Sequence, residues 1–174
     1  IDEEAPDYIA VAFDVSAPTF RHKMFAEYKG TRKAMPDELR QQVPVMKEAL
    51  KAMGILTIEK EGYEADDILG TLGRKCEAAG LDVSIISGDR DLLQLATEKI
   101  KIRIPKTKMT GAQIEDYYAQ DVIDKYQVTP EEFIDLKALM GDASDNIPGV
   151  PGIGEKTGIK IIAAYKSIEN AYEH

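Results

Sequence analysis

The sequence has one cysteine, two histidines and, across 174 positions, no apolar run of the roughly 18 residues that a membrane helix needs. The lone Cys76 cannot form an internal disulfide, which agrees with a reducing compartment. In the helical stretch "LGRKCEAAG" it reads as a small buried side chain and not as a catalytic thiol. His22 and His174 stand too far apart in sequence for a histidine zinc site or a Ser/His/Asp triad. No basic-then-apolar segment opens the chain, so the expectation is a cytoplasmic protein without membrane contact. Positive charge is scarce too: 22 Lys and Arg stand against 31 Asp and Glu, a net charge of −9. That balance argues against a nucleic-acid partner unless the acidic groups have a partner of their own. Hydrophobic residues make up 44% of the chain, enough for one globular domain or one and a half.

What the chain has in excess is carboxylates at particular places. In "EGYEADDILGTL", Glu64, Asp66 and Asp67 crowd the head of an otherwise apolar helix. A helix macrodipole accounts for one or two of them; three like charges together repel unless a cation relieves them. Asp14 closes the apolar run "YIAVAF", Asp89 and Asp91 follow "DVSIIS", and Asp142 and Asp145 fall in the turn "GDASDN" after a helical stretch. In open α/β sheets, sites form at the carboxyl ends of strands, so these groups are expected on one edge. Such an oxygen-rich set suits a hard cation such as Mg²⁺, with water and substrate phosphate completing its shell. With metal bound, the rest of the chain would be nearly neutral. Plainer roles stay open: Asp14 as a cap, Asp91 as N-cap of "LLQLA", and Asp142 with Asp145 as an Asx turn before Pro148.

The alternation of apolar runs and helical periodicity predicts βαβ units and a mostly parallel sheet flanked by helices. Buried strands are expected at 8–13 and in "DVSIIS". Helices are expected at 36–53, with Leu39, Val43, Met46 and Leu50 on one face and Pro44 inside, and at 64–79. The character changes after residue 105: residues 107–128 read as connector and helical material, and helices follow at 131–141 and 158–172.

Two further stretches point to nucleic acid. "GVPGIGEKT" is neither an EF-hand loop, since Ile153 stands where a Glu is needed, nor a nucleotide-binding loop, since Glu155 replaces the Lys. It reads as a glycine hairpin in which Gly152 and Gly154 let backbone N–H groups approach a phosphate. Lys156, Thr157 and Lys160 add positive field at the next helix. An ordinary turn between helices is the competing reading. Arg21, Lys23, Lys29, Arg32 and Lys33, interleaved with Phe20, Phe25 and Tyr28, suit a single strand, the cations on phosphates and the rings on bases. A solvated loop or mobile arch is the plainer alternative for residues 16–35.

Together, "FDVSAPTFRH", "YKGTR", "GYEADDILGTL", "SGDRDLLQL" and "GDASDNIPGVPGIGEKT", in this order, resemble the 5′ nuclease (5′-3′ exonuclease) domains of bacterial DNA polymerase I, a branch of the flap endonuclease family. The resemblance implies a PIN-like core over residues 1–105 and a connector with a helix-three-turn-helix DNA-binding element over 106–174. Asp14, Glu64, Asp66, Asp67, Asp89, Asp91, Asp142 and Asp145 match its metal-site carboxylates, for two Mg²⁺ or Mn²⁺ ions. Tyr28, Lys29 and Arg32 match its arch, with Lys29 and Arg32 steadying the scissile phosphate. Residues 131–166 match the DNA-binding element, which in relatives also holds K⁺ through backbone carbonyls. The family begins with an apolar strand carrying a further ligand Asp, so the resemblance implies a chain that starts after that strand and stops before the last helices. The expected activity is structure-specific 5′ nuclease action, exonucleolytic and flap endonucleolytic. Its expected substrates are DNA with a 5′ flap or nick and RNA–DNA primer junctions, with the protein acting as a monomer or as part of a longer polymerase chain. A PIN-like ribonuclease and a non-catalytic DNA-binding fragment are the alternatives.

Overall fold

The computed structural model describes residues 1, 4–108 and 111–174. The chain divides into two compact units, Ile1–Leu69 and Gly70–His174, each described by itself.

In the first unit, strand β1 (Ala10–Ala12) pairs in parallel with β2 (Leu56–Ile58), Ala10 opposite Leu56 and Ala12 opposite Ile58. Between them come the short helix α1 (Phe20–Met24) and the long helix α2 (Asp37–Ala52). The expected buried strand at 8–13 is therefore shorter, and it is not enclosed: Tyr8 is 80% exposed. Among the described residues β1 has a single strand neighbour, β2. α2 follows its periodicity and contains Pro44, yet Leu39 and Met46 on its apolar face are exposed and none of its residues is buried. The expected loop at 16–35 contains α1, whose first turn closes on Thr19: the Thr19 side chain and His22 Nδ1 hold each other's end of the helix.

Helix α3 (Ala65–Ala78) begins at the acidic head and runs across the division, with Cys76 half-buried on it and not in a core. In the second unit, β3 (Val83–Ile86) pairs in parallel with β4 (Ile100–Lys108), and β4 pairs antiparallel with β5 (Gly111–Tyr117). The connector expected after residue 105 is thus a long hairpin: β4 continues through Pro105 to Lys108, and residues 111–117 are strand. Met109 and Thr110 lie outside the described residues. Alternating Ile100, Ile102 and Ile104 point inward and are almost fully buried, the half-buried pattern that period two dictates. Lys101 and Arg103 alternate with them. β1–β2 and β3–β4 pair in parallel and β5 extends the second pair antiparallel, in keeping with the expected α/β fold of sheets flanked by helices.

Helices α4 (Ala119–Tyr126), α5 (Glu132–Met140), α6 (Glu155–Tyr165) and α7 (Ile168–Glu173) complete the unit, with a two-residue ladder between β6 (Gly141–Asp142) and β7 (Ile147–Pro148). The expected last helix is split: Lys166 takes a left-handed φ of 70°, and the Ser167 side chain accepts the Asn170 N–H to start α7. α5 and α6 approach closely because position 158 is glycine; a Cβ there would lie 2.8 Å from the Leu136 side chain. Leu136, Val128 and Ile162 fill the core around that contact.

Candidate functional site

In the first unit the acidic head of α3 is held by cations of the basic stretch. Arg21 donates twice to Asp67, Nη1 to Oδ2 and Nη2 to Oδ1, both at 2.8 Å. This fork, ahead of any other influence, holds the Asp67 carboxyl below its usual range and raises Arg21 above its own. Asp67 Oδ2 also accepts the Glu64 N–H at 2.9 Å, so the helix head ties itself together. Glu64, 8% exposed, accepts the Tyr28 hydroxyl at 3.0 Å and the Lys29 ammonium at 2.8 Å. From the end of β1, Asp14 Oδ1 accepts the Ala65 N–H at 2.7 Å, acting on an otherwise unsatisfied first-turn donor of α3. Asp66 is half-buried on the same turn.

Tyr28 departs from the expectation of a ring offered to bases. It is 6% exposed, with its ring edge-on to His22 at 5.1 Å and its hydroxyl spent on Glu64. Lys29 takes a left-handed φ of 55°, which turns its side chain over the Tyr28 ring and onto Glu64. Arg32 is exposed on the turn that follows.

In the second unit, Asp89 and not Asp91 caps the 3-10 helix Arg90–Leu95: Asp89 Oδ1 accepts the Asp91 N–H at 2.8 Å, and the Asp89 N–H is donated to Ser87 Oγ at 3.1 Å. The Asp91 carboxylate is then left to point elsewhere, and it meets the Lys137 ammonium of α5 at 2.9 Å. Asp142 meets the same ammonium, also at 2.9 Å. Its other oxygen accepts the Ser144 N–H, the Ser144 hydroxyl and the Asp145 N–H, the expected Asx turn. Burial works against ionising Asp142, but the Ser144 hydroxyl and Lys137 outweigh it and hold its carboxyl low. At Asp91 burial prevails over Lys137, and the nearby Asp89 and Asp142 charges push the same way, so that carboxyl is raised. Lys137 is raised by its two carboxylates despite burial. Sequence reasoning missed Lys137; a lysine five residues before Asp142 was the available signal.

The glycine-rich segment lies between α5 and α6. Gly141 has a φ of 72°, and a Cβ on Gly149 would sit 2.3 Å from the Met140 carbonyl, so both glycines are demanded by the backbone crossing at β6 and β7. Gly152 and Gly154 differ: a Cβ on either would meet nothing within 4 Å. Gly152 is accounted for by its left-handed φ of 83°, and Gly154 by neither packing nor a positive φ. Lys156, Thr157 and Lys160 are exposed on the first turns of α6.

The expected carboxylates thus fall into two groups, Asp14, Glu64, Asp66 and Asp67 in one unit and Asp89, Asp91, Asp142 and Asp145 in the other. Among the described residues, no three His, Cys, Asp or Glu side chains are close enough to hold a metal ion by themselves. The donor chemistry nevertheless suits a hard divalent ion. All donors are carboxylate oxygens, and an ammonium already stands between Asp91 and Asp142 as a stand-in cation.

A family model described as 5′-3′ exonuclease, N-terminal resolvase-like domain, matches residues 1–127, and a second, 5′-3′ exonuclease, C-terminal SAM fold, matches 128–174. The chain belongs to the 5′-3′ exonuclease family. DNA polymerase I of Bacillus caldotenax is 51% identical over 168 residues, 97% of this chain but 19% of the relative. The chain thus spans about a fifth of the length of the curated relatives it matches. A phage T5 protein crystallised with metal ions superposes with a TM-score of 0.82 at 29% identity, over 99% of this chain and 67% of that one. A phage T5 flap endonuclease in complex with DNA and metal ions gives 0.78 at 28%, over 99% and 65%. These matches agree with the α/β fold and the helical C-terminal element. No helix among the described residues is long and apolar enough to cross a membrane.

Proposed function

We propose that this chain is the nuclease part of a longer polymerase chain. In that setting it acts as a divalent-metal-dependent, structure-specific 5′ nuclease, both 5′-3′ exonuclease and flap endonuclease, on DNA or RNA–DNA primer junctions. The observation that carries the reading is the meeting of Asp91 and Asp142, far apart in sequence, around one cation position. Family membership and the metal-bound T5 relatives support it.

We assign Asp14, Glu64, Asp66, Asp67, Asp89, Asp91, Asp142 and Asp145 as oxygen ligands. Mg²⁺ or Mn²⁺, when bound, supplies an activated water and charge relief at the phosphate. The residues of the chain do the rest. Asp89 fixes the backbone at Asp91, and Ser144 donates to the Asp142 carboxylate itself, so both positions are set before metal arrives. Tyr28 orients Glu64, and Arg21 orients Asp67. Lys29 and Arg32 stabilise negative charge on the scissile phosphate, Lys29 after leaving Glu64. Gly152, Gly154, Lys156, Thr157 and Lys160 grip duplex backbone without reading sequence, and K⁺ bound by carbonyls of the hairpin would steady that grip.

The test is cleavage of labelled 5′-flap, nicked and intact duplex substrates by the full-length protein, with Mg²⁺ or with chelator. Flap and nick cleavage that needs metal and spares intact duplex is the expected result. Tight binding with no cleavage would establish a DNA-binding role instead; cleavage unaffected by chelator would overturn the metal assignment.

A further inference from the structure

The Lys137 ammonium bridges two carboxylates assigned to metal, Asp91 and Asp142, at 2.9 Å from each. The arrangement leaves those oxygens no more than about 6 Å apart, near enough for two negative charges to repel. Something positive has to occupy the gap. The two kinds of group around it are held very differently. Asp142 is fastened by three donors from Ser144 and Asp145, and Asp91 sits on a 3-10 turn with its own N–H donated to Asp89. Lys137 reaches them from α5 on a flexible four-carbon stem, with a point charge that has no preferred plane. The carboxylates are the preorganised part and the ammonium is the movable part. Arg21 on Asp67 is the contrast: a planar fork with two bonds to one carboxylate locks that pair.

We propose that Lys137 is an exchangeable internal counter-ion. It bridges the Asp91 and Asp142 carboxylates in the metal-free protein and is displaced when a divalent cation enters. The inference rests on the metal reading above. Lys137 is thereby a positioning residue that sets how tightly, and above what metal concentration, this pair is loaded. Entry of a dication exchanges one positive charge for two, so the carboxylates need not move. The cost of loading is the detachment of Lys137, and removing its charge makes loading easier.

Mn²⁺ binding to the full-length protein, followed by the electron paramagnetic resonance of free Mn²⁺, reads this without any catalysis. Lys137→Met keeps most of the stem and removes the charge; it should tighten Mn²⁺ binding by at least about tenfold at low salt. Lys137→Arg, which keeps the charge, should stay within about threefold of the parent, while Asp142→Asn and Asp91→Asn should each weaken a Mn²⁺ site. Unchanged or weaker binding in Lys137→Met, with the Asp variants weakened, overturns the counter-ion role and leaves the metal assignment standing. Unchanged binding in both Asp variants overturns the metal assignment at this pair. A second measurement covers a variant that fails to fold: amine acylation of the unaltered protein, read by mass spectrometry. Mg²⁺ should raise labelling at Lys137, and equal labelling with and without saturating Mg²⁺ overturns the exchange.

Discussion

In Ile1–Leu69 the buried apolar side chains are Tyr28, Ile55 and Ile68, and the buried polar ones are Thr19 and Glu64; in Gly70–His174 a set running from Ile85 through Leu93, Ile102 and Val122 to Ile162 forms an extensive apolar core. Both regions carry four of the assigned carboxylates, but they hold them by different forces. The first combines ion pairs and the Tyr28 hydroxyl with two backbone donors, Ala65 to Asp14 and Glu64 to Asp67, and its helix α2 contains no buried residue. The second seats the Asp89 and Asp142 carboxylates on backbone donors, and Lys137 bridges Asp142 to Asp91. A site held by ion pairs is sensitive to charge changes, and one held by packing is sensitive to volume changes.

The largest effect should come from removing one carboxylate in each region. Asp66→Ala and Asp89→Ala are each expected to lower metal-dependent flap cleavage by at least about a thousandfold. Binding of the flap in chelator should stay within a few-fold. Near-normal cleavage by the Asp66 variant alone would reduce the first region's acidic head to a helix-terminus effect.

Next in size is the core. Leu93→Ala should cost about 2–5 kcal/mol, read from amide hydrogen exchange in β4, because Leu93 is fully buried. Met46→Ala on α2, at 48% exposure, should cost within about 0.5 kcal/mol by exchange in α2. Equal costs would erase the contrast between the regions.

Smaller still are the phosphate contacts. Lys156→Ala and Lys160→Ala should each reduce the salt slope of metal-free duplex binding by about one unit. Lys29→Met should leave that slope unchanged, since Glu64 already neutralises Lys29. A slope that falls for Lys29→Met would show the first region gripping phosphate even without metal.

The smallest is acid sensitivity in the β4–β5 hairpin. Lys106, and after it the Tyr117 hydroxyl, hold the Glu115 carboxyl down to about 2. Its folded value lies below the unfolded one, so its stabilisation is complete above the unfolded value and is lost as pH falls toward the folded one. Glu115→Gln should flatten the decline in hairpin protection between about pH 4.5 and 2, with little change at neutral pH. The same acid decline in both proteins would remove this ion pair from the account of the hairpin.

Legibility in sequence followed the range of the forces. The helices at 37–52, 65–78 and 132–140 were readable because their periodicity and stop signals are local. The hairpin at 100–117 was missed because Pro105 and the charged alternation of "KIRIPKTK" mask a period-two pattern whose meaning depends on the pairing partner. The break at Lys166 was missed because no Gly or Pro marks it. Among site residues the acidic clusters stood out by crowding. The burial of Tyr28 and the place of Lys137 did not, since each is set by a contact with a group distant in sequence or in another element.

The sequence by itself determined the identities and spacings of the carboxylates, the basic stretch and the glycine hairpin, because charge and backbone freedom are written residue by residue. Only the tertiary structure decided which cation answers which carboxylate: Arg21 for Asp67, Lys29 for Glu64, Lys137 for Asp91 and Asp142 together. The reason is physical. A close ion pair is a matter of a few ångströms and of desolvation, and both are fixed by how the elements pack.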